Sequence, residues 1–317
     1  MAMMKAVRIH SFGGPEVLQY EDAPLPDVQP GTVLVKVHAA GVNPVDAKTR
    51  MGRGTAGRYT NPFPLILGWD IAGTVEAAAD DVNDFKVGDA VYGMVNFPQI
   101  GAAYAEYVVS PATHLALKPA TIDFVQAAAL PLAALTAWQA LFDTVALQAG
   151  ERVLIHAAAG GVGHLAVQLA KWKGAYVAGT ASAANADFLR GLGVDEVIDY
   201  TKAPFETQIS NMDVVMDCVG GDIGKRSLDI LKVGGRLVSI AGSAQADLLA
   251  ARGMSGANIL VHTDGDQLRQ IAALVDSGKL TVTVGGVYPL ERVGDAHEQQ
   301  MSSHTRGKLV LKTVLEA

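Results

Sequence analysis

The 317-residue chain has one cysteine, Cys218. An intrachain disulfide and a cysteine-built zinc cluster are both excluded, and Cys218 itself lies in the apolar run DVVMDCVGG, where a buried structural thiol is expected and not a nucleophile. Positive charge is scarce too: 25 Lys and Arg against 32 Asp and Glu leave a net charge of −7. Nucleic acid and anionic membrane surfaces both require clustered cations, so neither is expected as a partner. No apolar run is long enough to span a membrane, and the opening residues MAMMKAVRIH lack a signal-peptide core, so a cytoplasmic location is expected. None of the eight histidines stands in an H-x-x-x-H or H-E-x-x-H pair, so the commonest helical metal motif is missing.

What is present is glycine, 34 residues, and a hydrophobic fraction of 50%, which suit a large buried α/β core. The length predicts two domains. Residues 1 to about 122 are short alternating runs separated by turn residues (KAVRIH, TVLVKVHAAGV, IAGTVEAA, DAVYGM, AEYVV), the pattern of a β-rich domain. From Phe124 the chain turns helical, with an interruption at Pro131. Strands then alternate with helices: Arg152–Ala158, Ala175–Thr180, Glu196–Ile198, Asp213–Cys218, Arg236–Ile240 and Ile259–His262, the signature of a doubly wound parallel sheet. The tail from about Tyr288, with GKLVLKTV, returns to strand character and is expected to rejoin the first domain. The expected division is 1–122, completed by about 288–317, and 123–287.

The stretch RVLIHAAAGGVGHLAVQLAKWKGAYVAGTAS, Arg152 to Ser182, reads as strand, glycine turn, helix and strand. In that context a G-x-G-x-x-G pattern is a dinucleotide cradle. Ala158, Gly160 and Gly163 align with its three glycines, with Gly161 and Val162 between, and only the first position departs. Gly160 lets backbone approach a pyrophosphate, and Gly163 brings the helix N-terminus close to the strand. Thr180 stands where NAD-binding chains place an acid, so nothing there repels a 2′-phosphate, and Thr180 and Ser182 could donate to one. NADPH is the expected cofactor. The nearest cations are Arg190 and Lys202, and Ser182 has a second reading as a helix cap.

The order of parts, with AAGVNPVDAKTR, ILGWDIAGTV, FKVGDAVYGM and HAAAGGVGHLAVQLAK, resembles the medium-chain dehydrogenase/reductase superfamily over essentially the whole chain, in its zinc-free quinone oxidoreductase and alkenal/enone reductase branch. The resemblance implies an α/β fold: a GroES-like partial barrel fused to a Rossmann domain, the active site in the cleft between them, and a homodimer paired through the Rossmann sheet edges. Where the zinc alcohol dehydrogenases carry their ligands, this chain has Asn43, the pair Trp69 and Asp70, and Leu132 to Ala134, which cannot supply the three ligands of a catalytic zinc. Oxidising an alcohol is then difficult, whereas a small polarised acceptor, a quinone or an α,β-unsaturated carbonyl, needs only hydrogen-bond donors at its oxygen.

Asn43 matches the family's active-site asparagine; its other reading is a turn before Pro44. The completing proton is left between Tyr59, Tyr104 and water. Thr136 matches a threonine beside the nicotinamide, Ala241 and Gly242 follow the strand whose backbone meets the carboxamide, and Tyr200 in VIDY matches a tyrosine near the 2′-phosphate. An enoyl-thioester reductase and a non-catalytic NADPH-binding sensor remain alternatives on the same fold.

Overall fold

The computed structural model describes residues 2–302 and 305–313. Met1–Leu135, His262–Gly278 and Val282–Ala317 form one compact unit, unit 1, and Thr136–Val261 with Lys279–Thr281 form unit 2. In unit 1 the alternating runs become β1 (Met3–Ile9), β2 (Gln19–Pro24) and β3 (Thr32–Val42), followed by helix α1 (Pro44–Arg50). Then come β4 (Leu65–Ile66), β5 (Asp70–Ala78), β6 (Ala90–Met94), β7 (Tyr107–Pro111) and β8 (Leu115–Leu117). Helices α2 (Phe124–Ala128) and α3 (Pro131–Trp138) are separated at Pro131, which starts the second because a missing N–H costs nothing at the first helical position. A π-helical stretch, Gln139–Thr144, prolongs α3.

Unit 2 alternates β9 (Arg152–Ile155), α4 (Gly163–Trp172), β10 (Tyr176–Ala181), α5 (Ala186–Gly191), β11 (Glu196–Asp199), β12 (Met212–Asp217), α6 (Asp222–Arg226), β13 (Leu231–Ser239), α7 (Ala246–Ala251) and β14 (Ser255–Asn258). The chain then returns to unit 1 as α8 (Gly265–Asp276), β15 (Val284–Pro289), α9 (Val293–Met301) and β16 (Lys308–Lys312).

Unit 1 holds a three-stranded sheet, β2-β1-β4, and a seven-stranded one in the order β15-β16-β3-β5-β6-β8 with β7 also on β3. β3 organises the larger sheet. Its first half, Thr32–Lys36, pairs with β7 and its second, Ala39–Val42, with β16. β5 runs antiparallel along its other edge with two register shifts, the irregularity that lets one strand bend between two partners. Its valines Val33, Val35 and Val37 are buried in the core.

The six strands of unit 2 are all parallel, in the order β11-β10-β9-β12-β13-β14. Order reverses between β9 and β12, and in such sheets ligands bind beyond the carboxyl ends of the strands at that reversal. The turn after β9 occupies that place. The last strand differs from expectation: the apolar run Ile259–His262 is not strand, and the edge is Ser255–Asn258, whose register against β13 ends at Asn258 opposite Ser239.

The units also divide elsewhere than at residues 122 and 287. α2 stays with unit 1, and so does α8, because Gly265 lies against the carbonyls of Thr113 and Leu115 and the fully buried Tyr92 donates to the Leu268 carbonyl at 2.6 Å. Tyr92→Phe should therefore loosen α8 and destabilise unit 1 by about 1 kcal/mol, the net worth of one neutral buried hydrogen bond. Denaturant unfolding of both proteins checks this, and an unchanged midpoint would refute it.

Candidate functional site

In unit 1 the joint between β3 and α1 places Asn43. Its backbone is extended (φ −128°, ψ 152°), and Pro44 begins the helix with its φ already set. Three residues on, the Asp46 carboxylate accepts the Asn43 N–H at 2.7 Å. The Asn43 side chain, 1% exposed, is held at both ends. Its Nδ2 donates to Asp70 Oδ2 at 2.8 Å, and its Oδ1 accepts from the Lys308 ammonium. Lys308 also donates to the Val42 carbonyl at 2.9 Å and lies 3.7 Å from Asp70 Oδ2. The other Asp70 oxygen accepts the Leu132 N–H at 2.8 Å.

Strand register explains this convergence. Asp70 opens β5 opposite Gly41, and Lys308 opens β16, where Leu309 lies opposite Val42. The three segments that resemblance marks as ligand-bearing in the zinc enzymes thus meet around a carboxylate and an ammonium. Burial raises the Asp70 carboxyl, against the lowering effect of Lys308 and of its hydrogen bonds, and burial lowers the Lys308 ammonium, against Asp70. Among the described residues no group of three or more His, Cys, Asp or Glu side chains is gathered as a metal site.

A second buried chain of bonds starts at Asp46. Tyr104 donates its O–H to Asp46 Oδ2 at 2.5 Å, His297 Nε2 lies 3.2 Å from the Tyr104 oxygen, and Arg50 Nη1 lies 3.4 Å from His297 Nδ1. Direction follows from hydrogen counting. Tyr104 spends its one hydrogen on Asp46, so His297 Nε2 carries the proton and Nδ1 accepts from Arg50. A guanidinium and a carboxyl, both buried, are therefore joined through two neutral rings.

The two candidate proton donors are both committed. Tyr104 is 0% exposed, its hydrogen bonds Asp46, and burial beside that carboxyl raises its phenol well above the usual range. Tyr59 is half-buried and donates to the Pro98 carbonyl at 3.2 Å while bonded to Thr55 Oγ1 at 2.6 Å. Neither hydroxyl hydrogen is free in this arrangement.

In unit 2 the glycine turn is built as its spacing predicts, with one surprise. Gly163 opens α4 so close to the turn that a Cβ there would come within 2.3 Å of the Ala157 carbonyl oxygen. Gly160 N–H bonds back to the Ala157 carbonyl, and Gly161 and Val162 are half-buried and lead into α4, where the N–H groups of His164, Leu165 and Ala166 already bond the Gly160 and Val162 carbonyls. Ala158 keeps a negative φ, and its methyl fills the space over Gly179, where a second Cβ would lie 2.8 Å away. It is Ala157 that is left-handed, at φ +50°.

Thr180 holds that strained residue. Its Oγ1 accepts the Ala157 N–H at 3.1 Å and lies 3.3 Å from His156 Nδ1. Ser227 donates to the Ile223 carbonyl at 2.7 Å, so its oxygen, 3.0 Å from His156 Nε2, accepts from that nitrogen. The neutral ring then presents Nδ1 as an acceptor, and the single Thr180 hydrogen goes there. Thr180 is 4% exposed. Its expected role as a donor to a 2′-phosphate is corrected: it positions the turn. Thr180→Asp would break this buried network and is no clean test of phosphate reading.

The other cofactor candidates are placed as follows. Ser182 precedes the short helix Ala183–Asn185 without bonding its backbone; instead its Oγ accepts from the Asn185 amide at 3.4 Å. Tyr200, just beyond β11, is 57% exposed. Thr136 is buried on α3. Ala241 and Gly242 are exposed, and the Ala241 N–H bonds Ser239 Oγ at 3.1 Å. Behind them the buried Asp217 accepts from Val219 N at 2.8 Å, Gly220 N at 3.0 Å and the Ser243 hydroxyl, tying two loops together.

Sequence reading missed Asp46, Lys308, His297, Arg50 and Asp217. For Asp46 a local signal existed, an acid three residues after Asn-Pro. His297 and Arg50 are 247 residues apart, and no local pattern joins them.

Two family models match, the alcohol dehydrogenase GroES-like domain over residues 29–120 and the zinc-binding dehydrogenase over residues 192–311. The chain is 37% identical to the NADPH-dependent alkenal/one oxidoreductase of Arabidopsis thaliana, covering 97% of this chain and 79% of that protein. It is 33% identical to the quinone oxidoreductase of Rattus norvegicus, covering 98% of each. Among solved structures, the quinone oxidoreductase from Coxiella burnetii superposes with a TM-score of 0.94 at 40% identity, over 99% of this chain and 100% of that one.

The buried groups of both units make stability depend on pH. Burial, the largest cause, raises the Asp46 carboxyl to about 7, and desolvation lowers His297 to about 3 and His156 to about 4. Between pH 5 and 6 the folded chain holds a proton on Asp46 that the unfolded chain lacks, while each histidine lacks one that the unfolded chain holds. Acidification therefore weakens the fold through the histidines and strengthens it through Asp46. Asp46→Asn removes the opposing group, so stability should fall more steeply from pH 6 to pH 5, by about 1.4 kcal/mol per unit. Urea titrations at the two pH values measure it; equal slopes in the two proteins would mean that Asp46 is ionised in the native state.

Proposed function

Because the chain belongs to the medium-chain dehydrogenase/reductase superfamily, in its zinc-free quinone and alkenal reductase branch, we propose that it is an NADPH-dependent oxidoreductase acting on a quinone or on the activated double bond of an α,β-unsaturated carbonyl compound. A bound nicotinamide supplies the hydride. The observation that carries the reading is the arrangement at Asn43. Its amide has two hydrogens, of which one goes to Asp70; the oxygen faces Lys308. The second N–H is the donor for the acceptor's oxygen, where negative charge collects as the hydride arrives. With Tyr59 and Tyr104 committed, the proton comes from water.

The turn at Gly160–Gly163 and the N-terminus of α4 fit a pyrophosphate, since backbone N–H groups and the helix dipole both face an anion there. A solved mycobacterial relative, 30% identical, is described as complexed with NADPH. Preference for NADPH here rests on Ser182, whose own hydrogen is left to donate outward, and on the exposed Tyr200 at the end of the neighbouring strand. No carboxylate closes β10. The Asp199 carboxylate beside it, opposite Ala181, is turned to Thr201 N–H at 3.0 Å and to the Thr201 hydroxyl at 2.6 Å.

We further propose that β14, one of the two edge strands of the unit 2 sheet, pairs with a second copy. Sedimentation should give a dimer at micromolar concentration, and a monomer there would reject the pairing.

Turnover of NADPH and NADH with quinones, enones and an enoyl thioester tests the function, and turnover of the thioester alone would reassign it. Tyr200→Phe should lower kcat/KM for NADPH selectively, by about ten- to a hundredfold for one lost bond to a charged group. Thr180→Val should weaken both cofactors alike, by about 1–2 kcal/mol, because it loosens the turn and leaves the 2′-phosphate site alone. A Thr180→Val loss confined to NADPH would return Thr180 to the phosphate.

A further inference from the structure

The reading of Asn43 as the donor leaves unexplained why a lysine is buried against its far side. Lys308 is 4% exposed, and withdrawing an ammonium from water costs several kcal/mol unless it is fully paired. Part of that cost is met by the Val42 carbonyl, which accepts from the ammonium at 2.9 Å, and by the Asp70 carboxylate 3.7 Å away, which also accepts from Asn43 and from Leu132. Its third contact is the one that sets it apart: the ammonium donates to Asn43 Oδ1.

We propose that Lys308 is a positioning residue for the hydride acceptor: its ammonium fixes and polarises the Asn43 amide so that the remaining Nδ2–H becomes a stronger donor to the acceptor's oxygen. This rests on the function proposed above. Two physical effects combine in it. The first is orientation. An asparagine amide can be placed two ways round, and here only one is compatible with its neighbours, since a flip would set the NH2 against the ammonium and the oxygen against the Asp70 carboxylate. The second is electronic. A cation on the amide oxygen draws density onto it through the conjugated C–N bond, leaving the N–H hydrogens more positive, and bonds in such a chain strengthen one another. Asp70 pulls on one of those hydrogens and locks the plane, so the other is aimed before the acceptor arrives. Donors fixed in advance are the ones that lower a barrier, because no reorganisation is left to do.

Lysine suits this position for a further reason. Its charge is compact and its hydrogens can be shared, here between the Val42 carbonyl and Asn43 Oδ1, with the Asp70 carboxylate 3.7 Å away to balance the charge. Asn43, Asp70 and Lys308 are therefore one unit: a neutral pair with an amide wedged between its members.

The test is a set of four variants in the full-length protein, each assayed with NADPH against a quinone and a less reactive enone. Lys308→Met alone leaves Asp70 unbalanced, so the double variant Lys308→Met with Asp70→Asn is used, which removes both charges together. It should bind NADPH as the wild type does, keep KM for both acceptors within about twofold, and lose about tenfold in kcat, less than the hundredfold or more that follows loss of a whole oxyanion donor. The enone, which needs more stabilisation at oxygen, should lose more than the quinone. Lys308→Arg keeps the charge and should retain kcat within about threefold. In an Asn43→Ala background, removing the two charges should cost nothing further, because residues acting through one another are not additive. Should the double variant not fold, Lys308→Gln combined with Asp70→Asn, which keeps a donor for Asn43 while removing both charges, carries the same comparison. If Asn43→Ala lowers kcat but the uncharged variants do not, or if Lys308→Arg loses as much as they do, Lys308 only packs and the proposal fails. If Asn43→Ala itself leaves kcat unchanged, the function assigned to Asn43 fails, and this inference with it.

Discussion

A carboxylate and an ammonium kept out of water, Asp70 and Lys308, govern unit 1. Either one alone in that interior would cost several kcal/mol, so neither can be present without the other. They come from strands at opposite edges of β3, and they meet only because β5 and β16 both keep register with its last residues. The hydrogen bonds of Asn43, Leu132 and Val42 all close on this pair. A side chain that would otherwise be an exposed turn asparagine is thereby given one orientation.

Among the described residues three aspartates, Asp46, Asp70 and Asp217, are 0% exposed, and each is satisfied differently. Asp70 faces a cation. Asp46 is joined to one through Tyr104 and His297, with Arg50 at the far end, and the distance is felt: its Oδ1 and the Arg50 Nε have no partner, and its proton is held to about pH 7. Asp217 faces no cation among its hydrogen-bond partners, accepting instead from two backbone N–H groups and from serine hydroxyls, so it acts as a splice between loops. Direct pairing suits a position that must be polarised, and backbone donors suit one that must only be shaped.

Most of the architecture was legible because its signals are local and repeated. Alternation every second residue marked the strands of unit 1, and Arg152 to Ser182 carried its strand, turn and helix in order. The parallel edge was misplaced by a few residues because Ile259–Val261 is the more apolar stretch, whereas hydrogen bonding to β13 decides where a strand lies, and that bonding favours Ser255–Asn258. Thr180 was misread for a similar reason. Its place in the chain suggests a cofactor contact, but a hydroxyl has one hydrogen, and where it goes depends on His156 and Ser227, the latter 47 residues further along. Lys308 and His297 were invisible because nothing near them in sequence betrays a buried partner hundreds of residues earlier.

The placing of β16 also bears on how the protein is made. The strand that seats Lys308 is added to β3 from the far end of the chain, after all of unit 2 has been synthesised. Until residue 308 has left the ribosome, the Asp70 carboxyl has no cation and the edge of β3 beside Ala39–Val42 is bare, an open template for any passing strand. The nascent chain therefore spends the whole interval between the synthesis of Asp70 and that of Lys308 with Asn43 unanchored. Unit 1 is closed from the outside, by its own tail, and a ribosome stalled just short of that tail would release a chain with a charged and sticky seam.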